Sequence, residues 1–141
     1  MHTLRECLFR KIGVLSIGFS LLGGISSSSA QPLQEVVVTI EGYTFRTTQM
    51  PLQLDTETII YIENKDTVRH DFGSDMFLNT LTHVDSNGVV TYGKGLEGVY
   101  LDPGQKASIH LMLKHSGRFQ FQCSIHKEMK GEILLLTVDA V

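Results

Sequence analysis

Cysteine is scarce in this sequence, and its scarcity excludes an internal disulfide from most of the chain. Only two of the 141 residues are cysteines, Cys7 and Cys123. Cys7 falls within residues 1–30, where a basic head, an apolar run and small residues up to Ala30 form the pattern of a secretory signal peptide. A mature chain from Gln31 would keep one thiol in an oxidising compartment, where it needs protection or a use. A bound metal would provide both.

The sequence also lacks a second long apolar run and an excess of positive charge. The alternative to a signal peptide, a membrane anchor, is disfavoured because the N-terminal apolar run is shorter than the roughly 20 residues that span a bilayer. Lys and Arg number 12 against 15 Asp and Glu. The leader holds three of the basic residues and one of the acidic ones, so the mature chain carries a formal charge of −5. These features predict a periplasmic or otherwise exported protein without a membrane span, and they exclude a nucleic-acid partner.

No segment has a helical period and no internal repeat occurs, whereas short β-type runs are frequent. Strands are predicted over 35–40, 57–64, 106–113, 117–123 and 131–138. The last run is apolar on both faces and is expected in the centre of a sheet. Residues 71–100 are expected to form a long connection with one hairpin and a short helical turn. Several short strands separated by turns predict an all-β Greek-key β-sandwich, formed by residues 31–141 as one domain.

Three soft or coordinating side chains stand close together in the stretch FQCSIHKEMKG. Cys123 ends an alternating run, so its sulfur is expected to point into one end of the sandwich. His126 and Met129 follow on a loop that can fold back toward the sulfur. His70 is the best candidate for a further nitrogen ligand, because it follows strand 57–64 at the same end. Two imidazoles, a thiolate and a weak thioether form a set that suits copper in electron transfer.

Each candidate also has a plain structural interpretation. Cys123 would be a small buried hydrophobe, Met129 a core residue that fills a gap, and His70 a turn residue. We expect solvated surface positions for His83, His110 and His115, with a second, weak copper site at Met76 and His83 as the alternative.

The segments NKDTVRHDF and FQCSIHKEMKG together resemble the cupredoxins, the blue (type 1) copper proteins. The Cys-x2-His-x2-Met spacing is similar to that of amicyanin, whereas plastocyanin and pseudoazurin have two more residues between the histidine and the methionine. The resemblance implies one copper ion per chain. It also implies that His70, Cys123 and His126 are the equatorial ligands and that Met129 is the axial one.

The chain departs from the family pattern beside the first histidine. Family members often have proline and asparagine there, whereas this chain has Arg69 and Asp71. The family asparagine ties the two ligand loops together, and an ionised aspartate can only accept hydrogen bonds. We expect Arg69 to neutralise Asp71.

A metal whose positions are all taken by protein leaves no place for a substrate. We therefore predict that the chain is not an enzyme but a monomeric, exported one-electron carrier between redox proteins that dock near His126. Arg69 and Lys127 are expected to flank that docking surface. The alternative is a copper-handling protein that delivers or sequesters Cu(I). A catalytic oxidase or reductase would need further copper centres, and the sequence contains no His-x-His pattern.

Overall fold

The computed structural model describes residues 33–48 and 52–135. The predicted leader, residues 1–30, lies outside the described residues. Within them the chain forms ten strands and one 3₁₀ turn, Asp75–Phe77. The strands are β1 Gln34–Ile40, β2 Phe45–Thr48, β3 Glu57–Asn64, β4 His70–Ser74, β5 Leu81–Ser86, β6 Val89–Lys94, β7 Gly98–Leu101, β8 Lys106–Met112, β9 Gly117–Gln122 and β10 Lys130–Leu135. None of the described residues belongs to a helix that is long and apolar enough to cross a membrane.

The strands form two sheets that pack face to face. One sheet has the order β2-β1-β3-β8-β5-β6 and the other has the order β10-β9-β4-β7. Strands β1 and β3 pair in parallel, and the other recorded pairs are antiparallel. Alternate residues of both sheets point inward and bury a shared apolar core, as the strand period of two requires. Its buried members include Val38, Ile60, Ile62, Phe72, Leu101, Ile109, Phe121 and Ile133. The predicted all-β sandwich is confirmed.

Two parts of the strand prediction are wrong. Strand β10 lies at the edge of its sheet rather than in the centre, and Leu134 on its outer face is 41% exposed. Residues 71–100 contain the expected hairpin, β5–β6, and the expected short helical turn, which is the 3₁₀ turn Asp75–Phe77, but they also hold most of β4 and β7. Every residue of β4 is buried, so that strand shows no alternation of apolar and polar residues, and β7 is only four residues long.

The topology brings the two predicted ligand segments together at one end of the sandwich. Strands β4 and β9 are antiparallel neighbours, with Gly73 opposite Gln122. The first residue of β4, His70, therefore lies near the residue that follows β9, Cys123.

Candidate metal centre

Three side chains with metal-binding atoms converge where β4 begins and β9 ends. The ligand atoms of His70, Cys123 and His126 all lie within 4.8 Å of one another. The sulfur of Cys123 is 3.9 Å from Nδ1 of His70 and 3.7 Å from Nδ1 of His126. His70 and Cys123 are buried, and His126 is partly exposed. One thiol and two imidazoles thus surround a single point, with one ring edge near the solvent.

The loop between Cys123 and Met129 is closed by its own backbone. The N–H of Cys123 donates to the carbonyl of Met129 at 3.1 Å, and the N–H of Met129 donates to the carbonyl of His126 at 2.9 Å. The Met129 side chain is 3% exposed and packs in the core. Its backbone is therefore held beside the other candidates, and its role as axial ligand stays a prediction.

Asp71 links the two segments that carry the candidate ligands. Its Oδ1 accepts the N–H groups of Ser124 and Ile125 at 2.7 and 3.4 Å, and it lies 3.1 Å from the sulfur of Cys123, whose thiol donates to it. The N–H of Asp71 points back at that sulfur, at 3.5 Å. An acceptor is enough to tie these loops, because the partners it meets are donors. The aspartate at this position therefore still performs the linking task.

The expected neutralisation of Asp71 by Arg69 is wrong. Nε of Arg69 lies 2.8 Å from Oδ1 of Asp102, and its guanidinium lies over the ring of Tyr100, 5.7 Å from the centroid. Arg69 precedes β4, and its side chain is 58% exposed, whereas His70 and the residues after it are buried.

Asp66 orients the ring of His70 from the side opposite the Cys123 sulfur. Its Oδ2 lies 2.9 Å from Nε2 of His70, which directs Nδ1 of that ring toward the sulfur. The same carboxylate accepts the N–H groups of Gly42 and Tyr43 at 2.6 and 2.9 Å. Partners of this kind fix the tautomer and the direction of a metal-binding histidine. Sequence reasoning missed this role, although Asp66, in the turn Asn64-Lys65-Asp66, stands only four residues before the histidine.

Tyr43 packs against both imidazoles. Its ring meets the rings of His70 and His126 edge-on, with centroids 5.4 and 5.1 Å apart. Tyr43 has a positive φ of 56°, an uncommon conformation for a bulky residue, and the Asp66 carboxylate holds its N–H. The side chain is half-exposed, so it forms a lateral wall between the imidazoles and the solvent.

Burial and hydrogen bonds change two pKa values at this site. Burial raises the pKa of the Cys123 thiol, and the N–H of Asp71 opposes the rise. Burial alone would also raise the pKa of Asp66, but the N–H groups of Tyr43 and Gly42 and the imidazole of His70 lower it overall. A metal that binds here must therefore displace a firmly held thiol proton.

These donors fit a copper ion. Thiolates select soft ions, imidazoles suit copper in both oxidation states, and a site with two histidines and one cysteine is the trigonal arrangement of electron-transfer copper. The carboxylate of Asp71 lies beside the sulfur rather than among the nitrogens. The chemistry of the donor set therefore favours copper over the hard cations, which prefer oxygen ligands.

Comparison with known proteins gives a likeness in structure only. No protein-family model matches the chain, and no curated protein matches it. A multicopper oxidase from Pediococcus acidilactici has a TM-score of 0.58 at 16% identity, over 93% of this chain and 32% of that one. A multicopper oxidase from Campylobacter jejuni, described as a metallo-oxidase, has a TM-score of 0.52 at 14% identity, over 79% and 31%. A Cu(I)-form mutant of amicyanin has a TM-score of 0.45 at 16% identity, over 72% and 82%.

At these identities the likeness shows the fold, and the fold assignment rests on the oxidases, whose TM-scores are above 0.5. The resemblance read from the two motifs is confirmed: the chain has the cupredoxin-like β-sandwich with a His–Cys–His cluster at one end. Copper is the cofactor that the fold and this cluster support. The chain spans about a third of the length of the oxidases it matches.

The prediction that the chain is not an enzyme is wrong. Four matching structures with TM-scores above 0.5 are three multicopper oxidases and a laccase, and each is covered over only part of its length. The prediction rested on the closed ligand set of one centre. An oxidase that holds several coppers can carry out its chemistry at another centre, so a closed ligand set at one of them does not decide the matter.

The alternative second copper site at Met76 and His83 is not formed. Met76 follows the start of the 3₁₀ turn and is buried in the core. His83 lies on β5 between the buried Thr82 and Val84, so it faces the other side of the six-stranded sheet. The two side chains are separated by that sheet.

Proposed function

We propose that this domain holds one copper ion in a type 1 centre and transfers single electrons through it. The observation that carries the proposal is the position of the Cys123 sulfur, at similar distances from Nδ1 of His70 and Nδ1 of His126. A thiolate with two imidazoles suits both Cu(I) and Cu(II). The protein's part is to hold these donors in one arrangement for both oxidation states.

The hydrogen bonds around the site support a donor arrangement that stays the same in both oxidation states. Asp66 fixes the His70 ring, and Asp71 joins the two ligand-bearing segments. Because the donors are held by groups that do not change on oxidation, the site is expected to move little when an electron enters or leaves. His126 is the candidate ligand with a solvent-facing edge, and we propose it as the route for the electron.

We propose further that the protein acts in an exported compartment, as a one-electron carrier whose donor and acceptor dock near His126. The sequence of the first 30 residues supports export, and the partly exposed ring supports the docking position. The same transfer step would serve a domain that works inside a larger oxidase. The alternative function, delivery or sequestration of Cu(I), would use the same soft ligands.

The test is the addition of Cu(II) to the protein, followed by visible and EPR spectroscopy. We expect an intense thiolate-to-copper charge-transfer band and a narrow copper hyperfine splitting. Cys123→Ser is expected to abolish the band, because a hydroxyl is a poor soft ligand, while Ser124→Ala, a change at the exposed neighbour, leaves it intact. Weak d–d colour alone in the wild type would contradict the proposal.

Voltammetry separates the two functions. A carrier keeps its copper through repeated cycles at one potential. A copper-handling protein loses the ion after oxidation or passes Cu(I) to a competing chelator.

A further inference from the structure

Two histidines face each other on the outer side of the six-stranded sheet. His83 on β5 and His110 on β8 are direct cross-strand partners. Their neighbours along the strands, Thr82, Val84, Ile109 and Leu111, are buried on the inner side. The two imidazoles therefore project outward together, and their ring centroids are 4.9 Å apart with an interplanar angle of 25°.

This arrangement corrects the expectation that both histidines are solvated surface residues. Both are partly buried, and the ring of Tyr92 stacks on His83 with a centroid distance of 4.4 Å. Nε2 of His83 is buried without a hydrogen-bond partner, the only such side-chain atom in the part of the chain that the structure describes. A buried polar atom without a hydrogen-bond partner needs an explanation, and one such explanation is that the atom binds an ion.

A carboxylate completes the group. Oε1 of Glu57, on the neighbouring strand β3, lies 3.6 Å from Nδ1 of His110. Glu57, His83 and His110 line one shallow surface groove together with the thioether of Met112. The groove thus collects two imidazoles and one carboxylate, with no thiol among them, while the sulfur of Met112 accepts from the Lys114 ammonium at 3.2 Å.

The ligand atoms of His83, His110 and Glu57 do not converge on one point: among the described residues, only the cysteine centre brings three such atoms within 4.8 Å of one another. We propose that these three side chains turn toward one another on the outer face of the sheet and form a second metal site, which binds a borderline divalent cation such as Zn²⁺. Facing residues of antiparallel strands have Cβ atoms about 4.5–5.5 Å apart, near enough for both side chains to reach one ion. Two histidines with one glutamate are a known ligand set for zinc, and they leave a position open for water or for a group from another molecule.

The site is separate from the cysteine centre. His70 and Cys123 belong to the four-stranded sheet and the loop after it, and both are buried between the sheets. His83 and His110 lie outside the sandwich on the other sheet. The two sites also differ in donors, because only the cysteine centre offers a thiolate. This proposal does not depend on the proposed electron-transfer function.

The experiment uses the full chain with Cu(I) bound beforehand, so that the cysteine centre is filled and diamagnetic. Zinc chloride is titrated in, with calorimetry for stoichiometry and NMR of the histidine rings for position. We expect one further Zn²⁺ per chain and shifts of the His83 and His110 ring signals. His83→Gln and His110→Gln are each expected to weaken zinc binding by at least about tenfold, as losses around metal sites commonly do.

His115→Gln is the matched control, because it removes an exposed histidine outside the groove. Circular dichroism checks that the variants keep the fold. An absence of zinc binding beyond the cysteine centre would overturn the proposal. So would equal weakening by His115→Gln, or unchanged affinity in His83→Gln and His110→Gln, since either result marks an adventitious ion only. Unchanged affinity in Glu57→Gln would remove the carboxylate from the site.

Discussion

Single hydrogen bonds set the direction of the ligand rings. Asp66 receives three donors at once, from Gly42, Tyr43 and the ring of His70. Its carboxylate therefore joins the turn that carries Tyr43 to the imidazole that Tyr43 packs against. The position of the first ligand depends in this way on a residue that does not itself face the metal.

We expect Asp66→Asn to weaken both the fold and the copper site. An amide offers one oxygen where the carboxylate offers two, and its NH₂ group has no acceptor among these three donors. Loss of a partly buried, charge-assisted network is expected to cost about 1–3 kcal/mol of unfolding free energy, and copper affinity is expected to fall about 10–100-fold. Urea denaturation and competition with a copper chelator measure the two effects. Asp85→Asn, at an exposed position on β5, is the control and should change neither.

Met129 provides a test of the axial position. Met129→Leu removes a weak donor, which destabilises Cu(II) more than Cu(I), so the reduction potential should rise. A tenfold change in the relative affinity corresponds to about 59 mV for one electron, and we expect a rise of at least that size. Met129→Gln should lower the potential, because a harder oxygen favours Cu(II). If voltammetry finds that both variants keep the potential of the wild type, Met129 is a core residue and the axial group lies elsewhere.

For single residues, the sequence predicted the candidate ligands better than the side-chain contacts around them. Cys123, His126 and Met129 stand close together in the chain, so their proximity was visible from spacing. His70 was found because a strand end placed it at the same side. The contact of Asp66 with His70 spans only four residues, but spacing does not show which way a turn side chain points. The contacts of Tyr43 with Asp66 and with the two imidazoles were not visible, since they join segments more than 20 residues apart. The pairing of His83 with His110 was hidden for the same reason, because it depends on which strands are neighbours.

Strands β9 and β10 form the hairpin whose loop carries the second half of the site. Gly131 on β10 lies opposite Phe121 on β9. A Cβ at Gly131 would lie 2.1 Å from Cζ of Phe121. The Phe121 ring cannot swing aside freely, because it packs against Phe45 and Phe72. The Phe121 ring lies over Gly131, so this ring position needs a residue without a side chain at position 131.

We expect Gly131→Ala to destabilise the protein. Forcing a methyl group into a filled aromatic cluster typically costs about 1–3 kcal/mol, and the strain falls on the strand that leads into Cys123. Chemical denaturation should show the loss, and the charge-transfer band should shift or weaken. Gly93→Ala is the matched control, because a Cβ there meets no atom within 4 Å. Equal stability of the Gly131 and Gly93 variants would contradict this account of the hairpin.

Elements with a β-branched run bounded by a turn were predicted well, and elements without one were not. Strand β3 occupies the predicted residues, 57–64, because its β-branched run ends at a strong turn. Strand β4 was missed, since it is buried on both faces and contains His70, Asp71 and Gly73. Edge position was also not visible in β10: its apolar composition indicated a central strand, but β10 pairs with β9 alone, and Leu134 points to the outer face of the sandwich, where it is exposed.

The distribution of charge over the whole molecule bears on how partners approach. The chain after residue 30 is acidic overall, whereas Lys127 follows the partly exposed candidate ligand His126. Arg69 was expected to add to this basic surface, but Asp102 lies 2.8 Å from it and offsets its charge. Lys127 therefore remains the main candidate for local attraction of an anionic partner. The net negative charge of the chain repels the same partner.

Oxidation of the Cu(I) protein by the anion ferricyanide tests which charge governs the approach. If Lys127 dominates near His126, the second-order rate should fall as salt rises, because the Debye length shrinks from about 10 Å at 0.1 M to about 3 Å at 1 M. Local charge of this kind raises association rates more than affinity. Lys127→Ala should remove the fall, and Lys94→Ala, in a groove beside the far end of β8, should keep it. Stopped-flow measurements decide the matter: a wild-type rate that rises with salt would show that the overall negative charge controls docking and that Lys127 has no part in it.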